Sequence, residues 1–287
     1  MMDHAMPASL TAHEILQLEE LGGDRYKSCH NLDNFMGVAF GGQFLGQALA
    51  AAQRTVPGWP VNSLNGYFVG AGMLDAPLEF TVTRSSDSRR FAVRHIRATQ
   101  GTRAVFEMSC SFHHGEPDGV THQVEDAGSL PDPETLLSLK EFAAAYATRL
   151  PPRAAAIFGR DFPIELRLAH PEAFFHPAPR RDFWFRIPSA AGLPSGPDHA
   201  ALLAFMSDFW LPSAIGAAHS GNGKIRSLVS LNHALWFHAP ADTADWLFYR
   251  CGSPWAGHGR GLARGEIFDR AGRLVATAMQ EALLRSR

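Results

Sequence analysis

The segment GGQFLGQALAAAQ, residues 41–53, begins the clearest structural pattern in the chain. After the glycine pair, apolar residues at helical spacing predict a buried or amphipathic helix over residues 42–53; they are Phe44, Leu45, Ala48, Leu49 and Ala52. Four segments rich in β-forming residues follow, separated by Gly, Pro, Ser or Asp: 61–69, 78–84, 91–100 and 103–112. A helix followed by a long antiparallel meander predicts an α+β fold, in which the sheet wraps one face over the helix.

The same order of elements occurs a second time in the chain. Tyr67 matches Trp236, and Leu78 matches Leu247. In both cases the matched residues are 169 positions apart. Residues 103–105 match residues 273–275 at an offset of 170, which places a one-residue difference in the turn between two strands. In this second copy we expect a helix over residues 198–210 and strands over 227–237, 246–251, 259–269 and 273–284. The chain is therefore predicted to contain two copies of one unit.

Two further strands are needed before each helix. The candidates are residues 25–29 and 38–40 in the first copy and 164–169 and 182–187 in the second. Between the copies, residues 113–133 are rich in Gly, Asp, Glu and Pro and predict an exposed linker. Residues 133–150 predict one connecting helix, capped by Asp132 and ended by Pro151-Pro152. The predicted divisions are 1–115, 116–160 for the linker and connecting helix, and 161–287.

Composition narrows the class of protein. The chain has 287 residues, 46% of them hydrophobic, and its formal charge of −2 leaves no positive field to hold a nucleic acid. Cys29, Cys110 and Cys251 are far apart and form no CxxC pair, so a reducing compartment is expected. The first ten residues lack the features of a leader, and no run of 18 apolar residues occurs. We therefore expect a cytoplasmic globular protein with no membrane span.

Common catalytic signatures are absent. The sequence has no GxSxG, GxGxxG, GxxxxGK[ST] or HExxH motif, which argues against a serine hydrolase of the α/β type, a nucleotide-binding enzyme and a zinc protease. The 14 histidines are scattered without ligand spacing. We predict neither a metal site nor a cofactor.

Three polar residues of the second copy interrupt apolar surroundings. They are Asp208 among large apolar neighbours near the helix end, Ser230 in a strand, and Gln280 in the last strand. A carboxylate in such a setting is costly unless it is paired or has a chemical role. Each residue also has a simpler interpretation, since Asp208 can face water at a helix end and the other two can face solvent on an edge strand.

Several motifs together resemble those of the acyl-CoA thioesterase II family, the TesB-like double hotdog enzymes. They occur in the family's order between about residues 16 and 285, at 40–48, 207–208, 230–238, 245–249, 264–266 and 280–281. The resemblance implies a tandem double hotdog fold, with two long helices that are each wrapped by an antiparallel sheet. It also implies an acyl-CoA substrate and a homodimer or homotetramer.

The resemblance further implies a catalytic trio of Asp208, Ser230 and Gln280 in the second hotdog domain. Thioester hydrolysis needs a positioned water, a group that takes its proton, and donors for the developing oxyanion. Asp208 would act as the base or orient the water, while Ser230 and Gln280 would hold that water without a covalent intermediate. Substrate contacts are expected from six residues: Gly41, Gly42, Gln43, Tyr67, His233 and Trp236.

The chain departs from the family pattern in its first copy, where Asn62, Asn65 and Gly70 replace two histidines and an arginine, and at Asn232 and Ala239 in the second. These changes leave two alternatives to hydrolysis. One is a catalytically silent protein that binds acyl thioesters. The other is a hotdog hydratase or lyase, which would need an Asp and a His a few residues apart near a helix entry.

Arginines of the first copy could contact CoA phosphates or simply form a solvated strand face. They are Arg89, Arg90, Arg94, Arg97 and Arg103.

Overall fold

The computed structural model describes residues 10–116, 119–124, 126–220 and 225–286. Their strands form one 13-stranded antiparallel sheet, and the two longest helices pack against each other and against the sheet. The buried apolar side chains of both copies belong to one main core cluster. Within the described ranges, every helix is too short or too polar to cross a membrane.

The first copy contains two helices and six strands. The helices are α1 (Ala12–Leu16) and α2 (Gly41–Gln53), and the strands are β1 (Leu18–Gly22), β2 (Arg25–Ser28), β3 (Val61–Phe68), β4 (Glu79–Asp87), β5 (Phe91–Gln100) and β6 (Arg103–His113). The predicted helix and four main strands are confirmed. The predicted strand over residues 38–40 is wrong, because this segment is a loop that makes only an isolated bridge between Asp33 and Ala39. The chain there leads directly into α2, which begins at Gly41 with Phe40 as its N-cap residue.

The predicted connecting helix over residues 133–150 is also wrong. The chain instead forms a 3₁₀ turn at Pro133–Thr135, then α3 (Leu139–Ala145) and α4 (Pro152–Phe158). Asp132 does cap the first turn, by accepting from the Glu134 backbone N–H. Leu136 is extended, and Ser138 with Glu141 forms a capping box that starts a new helix at Leu139. Local capping therefore breaks one predicted helix into separate pieces.

The second copy contains two helices and seven strands. The helices are α5 (Pro197–Ser207) and α6 (Ser213–Ala217), and the strands are β7 (Glu165–Leu168), β8 (Arg180–Arg186), β9 (Ile225–Ser230), β10 (Asn232–Phe237), β11 (Leu247–Gly257), β12 (Arg260–Phe268) and β13 (Leu274–Ser286). Short 3₁₀ turns occur at Pro171–Phe175 and Pro188–Ala190. The predicted helix ends earlier than expected, at Ser207, since Asp208 is its C-cap and Trp210 has a left-handed φ of 65°.

The order of strands mirrors the internal repeat. The sheet runs β1-β2-β4-β5-β6-β3-β10-β13-β12-β11-β8-β7, so the two copies meet at β3 and β10. Asn65 lies opposite Ala234, and Leu64 lies opposite Leu235. Exchanging the copies at the offset of 169 residues returns the same pairing, with Gly66 opposite His233. The register therefore has a local two-fold symmetry centred on the Asn65 and Ala234 pair.

The central helices α2 and α5 run antiparallel at very close range. A Cβ atom on Gly42 would lie 2.2 Å from the Phe205 carbonyl oxygen, and one on Gly46 would lie 3.0 Å from the Ala201 carbonyl oxygen. Both glycines lie on the face of α2 that meets α5. This contact brings the amino end of α2 beside the carboxyl end of α5, because the residue pairs run in opposite directions along the two helices.

The close approach at Gly42 makes a stability prediction. We expect Gly42→Ala to lower the free energy of unfolding by about 2 kcal/mol or more, since its methyl group would overlap backbone rather than a movable side chain. Denaturant unfolding of the two proteins, followed by circular dichroism, measures the difference. The control is Gly159→Ala, where the nearest atom lies at an ordinary 3.4 Å and the change should stay within about 0.5 kcal/mol. Equal stability of Gly42→Ala and wild type would contradict the proposed packing constraint.

Candidate active site

Gln280 connects the other two polar residues that the sequence singled out, Asp208 and Ser230. Its side-chain nitrogen Nε2 donates to Asp208 Oδ1 at 2.6 Å and to Ser230 Oγ at 2.8 Å. Gln280 is fully buried and Asp208 is 7% exposed, whereas Ser230 is partly exposed. The structure therefore brings the trio together as one hydrogen-bonded unit, with Ser230 on the side nearest to solvent.

Asp208 also faces the amino end of α2. Its carboxylate accepts a hydrogen bond from the Gly42 backbone N–H. A Cβ atom on Gly41 would lie 2.6 Å from Asp208 Oδ2, so a side chain at this position would displace the carboxylate. The N-cap residue itself, Phe40, makes no side-chain hydrogen bond to this end of α2. The site thus combines a carboxylate from the second copy with the helix N-terminus of the first, where backbone N–H groups favour negative charge.

Burial sets the acidity of Asp208. Removal from water raises the pKa of its carboxyl group to about 6, while the bonds from Gln280 and the Gly42 N–H act in the opposite direction. The group is therefore largely ionised at neutral pH, yet it is a much stronger base than an exposed aspartate. This acidity suits a residue that takes up a proton and returns it during a reaction.

A β-bulge places Ser230 and His233 on the same face of the sheet. The predicted single strand over residues 227–237 is instead divided into β9 and β10 at Leu231. Ser230 lies opposite Ala282, and Ala234 lies opposite Met279. The β9–β10 segment between these pairs therefore contains one more residue than the facing segment of β13. In a regular strand, residues three positions apart would point to opposite faces. The extra residue reverses that alternation, as bulges beside functional sites commonly do.

His233 lies behind the trio rather than at its open side. The ring is fully buried, and its Nε2 lies 2.9 Å from the Ser207 Oγ. Tyr249 donates from its hydroxyl to the Ser207 carbonyl oxygen at 2.8 Å, which ties the end of α5 to strand β11. Sequence reasoning did not assign roles to Ser207 or Tyr249. The only available signal was the position of Ser207 next to Asp208 in a family motif.

The other residues expected to contact substrate occupy different surroundings. Tyr67 and Trp236 are 55% and 44% exposed, whereas their neighbours Phe68 and Leu235 face the interior. Adjacent residues of a strand point to opposite faces. Tyr67 and Trp236 therefore lie on the outer face of the sheet, and the structure does not bring them to the trio.

Gln43 is engaged inside the protein. Its side chain accepts from the Leu32 backbone N–H at 2.7 Å and donates to the His30 carbonyl oxygen at 2.7 Å and to Gln47 at 3.2 Å. These bonds hold the segment before α2 against the helix. Gln43 therefore supports the amino end of α2 from within.

The arginines of the first copy are not equivalent. Arg94 is only 1% exposed and donates to Thr55 and Asp87, so the idea that it contacts CoA phosphates is wrong. Arg90 and Arg97 pair with nearby glutamates on the surface, and Arg103 donates to the Ala71 carbonyl oxygen. The hairpin is thus mostly a face of paired charges.

The chemistry available at the trio follows from these contacts. The cluster offers a carboxylate base, a hydroxyl and an amide that can orient a water, and backbone donors at a helix N-terminus. Among the described residues, no three His, Cys, Asp or Glu side chains are arranged to hold a metal ion. The arrangement is suited to attack by water on a polarised carbonyl group.

Comparisons with known proteins agree with this chemistry. Two family models match the chain: the acyl-CoA thioesterase N-terminal domain over residues 32–113 and the acyl-CoA thioesterase C-terminal domain over residues 124–284. Acyl-coenzyme A thioesterase 8 of Rattus norvegicus is 33% identical, over 97% of this chain and 90% of the relative. Acyl-CoA thioesterase 2 of Haemophilus influenzae is 30% identical, over 86% and 87% of the two chains.

Solved structures share the fold. The acyl-CoA thioesterase II TesB2 of Mycobacterium marinum is 32% identical, covers 96% of this chain and 97% of its own, and has a TM-score of 0.77. A hot dog fold protein of Alicyclobacillus acidocaldarius has a TM-score of 0.74 at 17% identity, over 96% and 98% of the chains, and supports the fold alone. With both family models matched along most of its length, the chain belongs to the acyl-CoA thioesterase II family.

Proposed function

We propose that the protein hydrolyses acyl-CoA to a free carboxylic acid and CoA, at one site per chain. The observation that carries this proposal is the Gln280 amide, which donates to both Asp208 and Ser230 beside the amino end of α2. We further propose the tandem double hotdog description, with the division into residues 1–115, 116–160 and 161–287. The two-fold register at β3 and β10 supports two copies of one unit.

The reaction can be written from these groups. A water held by Asp208 and Ser230, which the Gln280 amide positions, attacks the carbonyl carbon of the thioester, and Asp208 takes a proton from the water. The carbonyl oxygen becomes negative and lies at the amino end of α2, where the Gly41 N–H is our candidate donor. As the bond between carbon and sulfur breaks, the CoA thiolate leaves and recovers the proton from Asp208. The products are the acid and CoA, and the enzyme returns to its starting state.

The opposite end of the helix pair explains why we propose only one site. By the repeat offsets of 169 and 170 residues, Val61 corresponds to Ser230 and Cys110 corresponds to Gln280. Arg54 follows α2 where Asp208 follows α5. The positions that correspond to the trio therefore carry no carboxylate, hydroxyl or amide at this opposite end, and they cannot orient water in the same way.

A cavity lined partly by aromatic residues, including the two that follow Asp208 in the chain, is our candidate for the acyl chain. It has a volume of about 450 Å³, and its apolar lining includes Leu139, Ile157, Phe158, Phe162, Phe209 and Trp210. Phe209 and Trp210 directly follow Asp208, and Phe209 stacks on Phe162 at 4.8 Å. Because α3 and α4 supply part of the lining, the connecting segment would help to set the preferred acyl chain.

We also propose that the protein forms a homodimer or homotetramer, as expected from the family resemblance. Among the described strands, β1 and β7 end the main path of the sheet, and β7 makes one isolated bridge beyond it, between Arg167 and Ser138. Light scattering coupled to size-exclusion chromatography measures the mass directly.

The role of Asp208 is tested by Asp208→Asn. This change keeps the size of the side chain but removes the base, so kcat for acyl-CoA hydrolysis should fall by about 100-fold or more. Release of free CoA, measured with a thiol reagent, gives the rate, and thermal unfolding checks the fold. The control is Asp198→Asn, an exposed position at the other end of α5, which should retain wild-type turnover. Near wild-type kcat in Asp208→Asn would remove Asp208 from the mechanism.

The pH dependence follows from the raised pKa of Asp208, about 6. A base must be ionised to accept a proton, so hydrolysis should be constant above this value and lost as the pH falls through it. Below about pH 6, kcat should decline roughly tenfold per pH unit. The profile is measured by thiol release in buffers of constant ionic strength. An acid limb near pH 4 would show that burial does not raise the pKa as the structure indicates.

The candidate acyl cavity is tested by Ile157→Trp, which fills part of it. We expect KM for long-chain acyl-CoA to rise about tenfold while butyryl-CoA is hydrolysed as before, because only the long chain reaches the filled part. The control is Val120→Trp at a fully exposed linker position. An unchanged chain-length profile in Ile157→Trp would exclude this cavity as the acyl site.

A further inference from the structure

The Gln280 amide can serve the site in only one of its two orientations. Both hydrogens of Nε2 are used, one on Asp208 and one on Ser230. A flipped amide would turn its oxygen toward the Asp208 carboxylate and place two acceptors against each other. Some other group must therefore hold the amide oxygen on the opposite side.

Two buried atoms are left over at this point. Gln280 Oε1 and His233 Nδ1 are shielded from solvent, and neither has a hydrogen-bond partner among the described residues. The two residues are direct neighbours across the strands, since Ala234 pairs with Met279 and the next position along the register sets His233 against Gln280. An unsatisfied buried acceptor destabilises the folded state. A hydrogen on Nδ1 directed at Oε1 satisfies both atoms together.

The contacts of the other ring nitrogen, Nε2, are consistent with a hydrogen on Nδ1. Burial lowers the pKa of His233 to about 4, and Gln280 partly opposes this shift, so the ring is neutral at neutral pH and carries one hydrogen. Ser207 Oγ lies 2.9 Å from Nε2 and 2.8 Å from the Ala204 carbonyl oxygen, and its single hydrogen can go to either. If Nε2 carried the ring hydrogen, Nδ1 would face the Gln280 oxygen as acceptor against acceptor. A hydrogen on Nδ1, with Ser207 donating to Nε2, avoids this.

We propose that His233 is a positioning residue, whose Nδ1–H holds Gln280 Oε1 and thereby keeps the amide nitrogen on Asp208 and Ser230. This inference rests on the function proposed for the trio. It replaces our expectation that His233 contacts substrate.

The first copy provides an internal comparison. Its counterparts of His233 and Gln280 are Leu64 and Cys110, which also lie opposite each other. The polar pair is therefore present only at the end of the helix pair that carries Asp208. A general need of the fold would place a similar pair at both ends.

Two substitutions distinguish the effect of the N–H donor from the effect of the imidazole ring itself. In His233→Asn, the side-chain amide can place an N–H near the position of Nδ1, so kcat should stay within about fivefold of wild type. In His233→Leu, the volume is kept but the donor is lost, and kcat should fall about 100-fold with little change in KM. His233→Gln, whose amide reaches toward Ser207 instead, replaces the Leu variant if that one does not fold. Equal losses in folded Asn and Leu variants, or wild-type kcat in the Leu variant, would overturn the proposal.

A second readout does not depend on turnover. When the amide is free to flip, Asp208 loses its donor, so its pKa should rise by about one unit in His233→Leu and not in His233→Asn. Titration of the Asp208 carboxyl carbon by NMR measures this shift. If wild type hydrolyses no acyl-CoA, the proposed function fails while this titration still decides the role of His233. An unchanged Asp208 pKa in the Leu variant would refute the positioning role of His233.

The matched control is His199→Leu. His199 is also buried, and its Nδ1 lies 2.8 Å from Thr243 Oγ1, away from the trio. We expect lower stability with unchanged kcat and an unchanged Asp208 pKa. The same loss of kcat in this variant would show that any buried histidine affects activity through stability alone.

Discussion

The close antiparallel contact between α2 and α5 is the constraint on which the site depends. Gly42 and Gly46 leave no side chain between the helices, and the Phe205 carbonyl oxygen occupies the space that a Cβ on Gly42 would need. At this separation the amino end of α2 meets Asp208 just after α5. A wider spacing would move the carboxylate away from the Gly42 N–H. The packing of the core and the geometry of the site are therefore parts of the same requirement.

The internal repeat supplies two similar ends of the helix pair, but the cluster of Asp208, Ser230 and Gln280 has a counterpart of different residues, Arg54, Val61 and Cys110, at the other end. Ser230, His233 and Gln280 share a face of the sheet because of the bulge at Leu231. The first copy has a register shift at the corresponding place, between Val61 and Ser63. The backbone geometry is thus common to both copies, whereas the difference in chemistry lies in the side chains.

Much of the fold was predictable from local patterns. Helical spacing in residues 41–53, the β-forming segments and the repeat offset led to the main helices and strands, because these features depend on neighbours in sequence. Predictions failed where a few local hydrogen bonds decide the outcome. Ser138 and Glu141 begin a new helix inside the segment predicted as one, and the extra residue at Leu231 divides a segment predicted as one strand.

Local sequence patterns were enough to predict the repeated α+β unit, and family motifs singled out Asp208, Ser230 and Gln280 as candidate site residues. The tertiary structure set how these side chains contact one another. It placed Gln280 between the other two, put the first copy's helix N-terminus beside the second copy's carboxylate, and set His233 behind the amide. The physical reason is that hydrogen bonds between residues 50 or more positions apart depend on strand register and helix contact. A one-residue bulge changes the strand register, and a methyl group between the helices changes their contact. Neither effect is visible in a local sequence pattern.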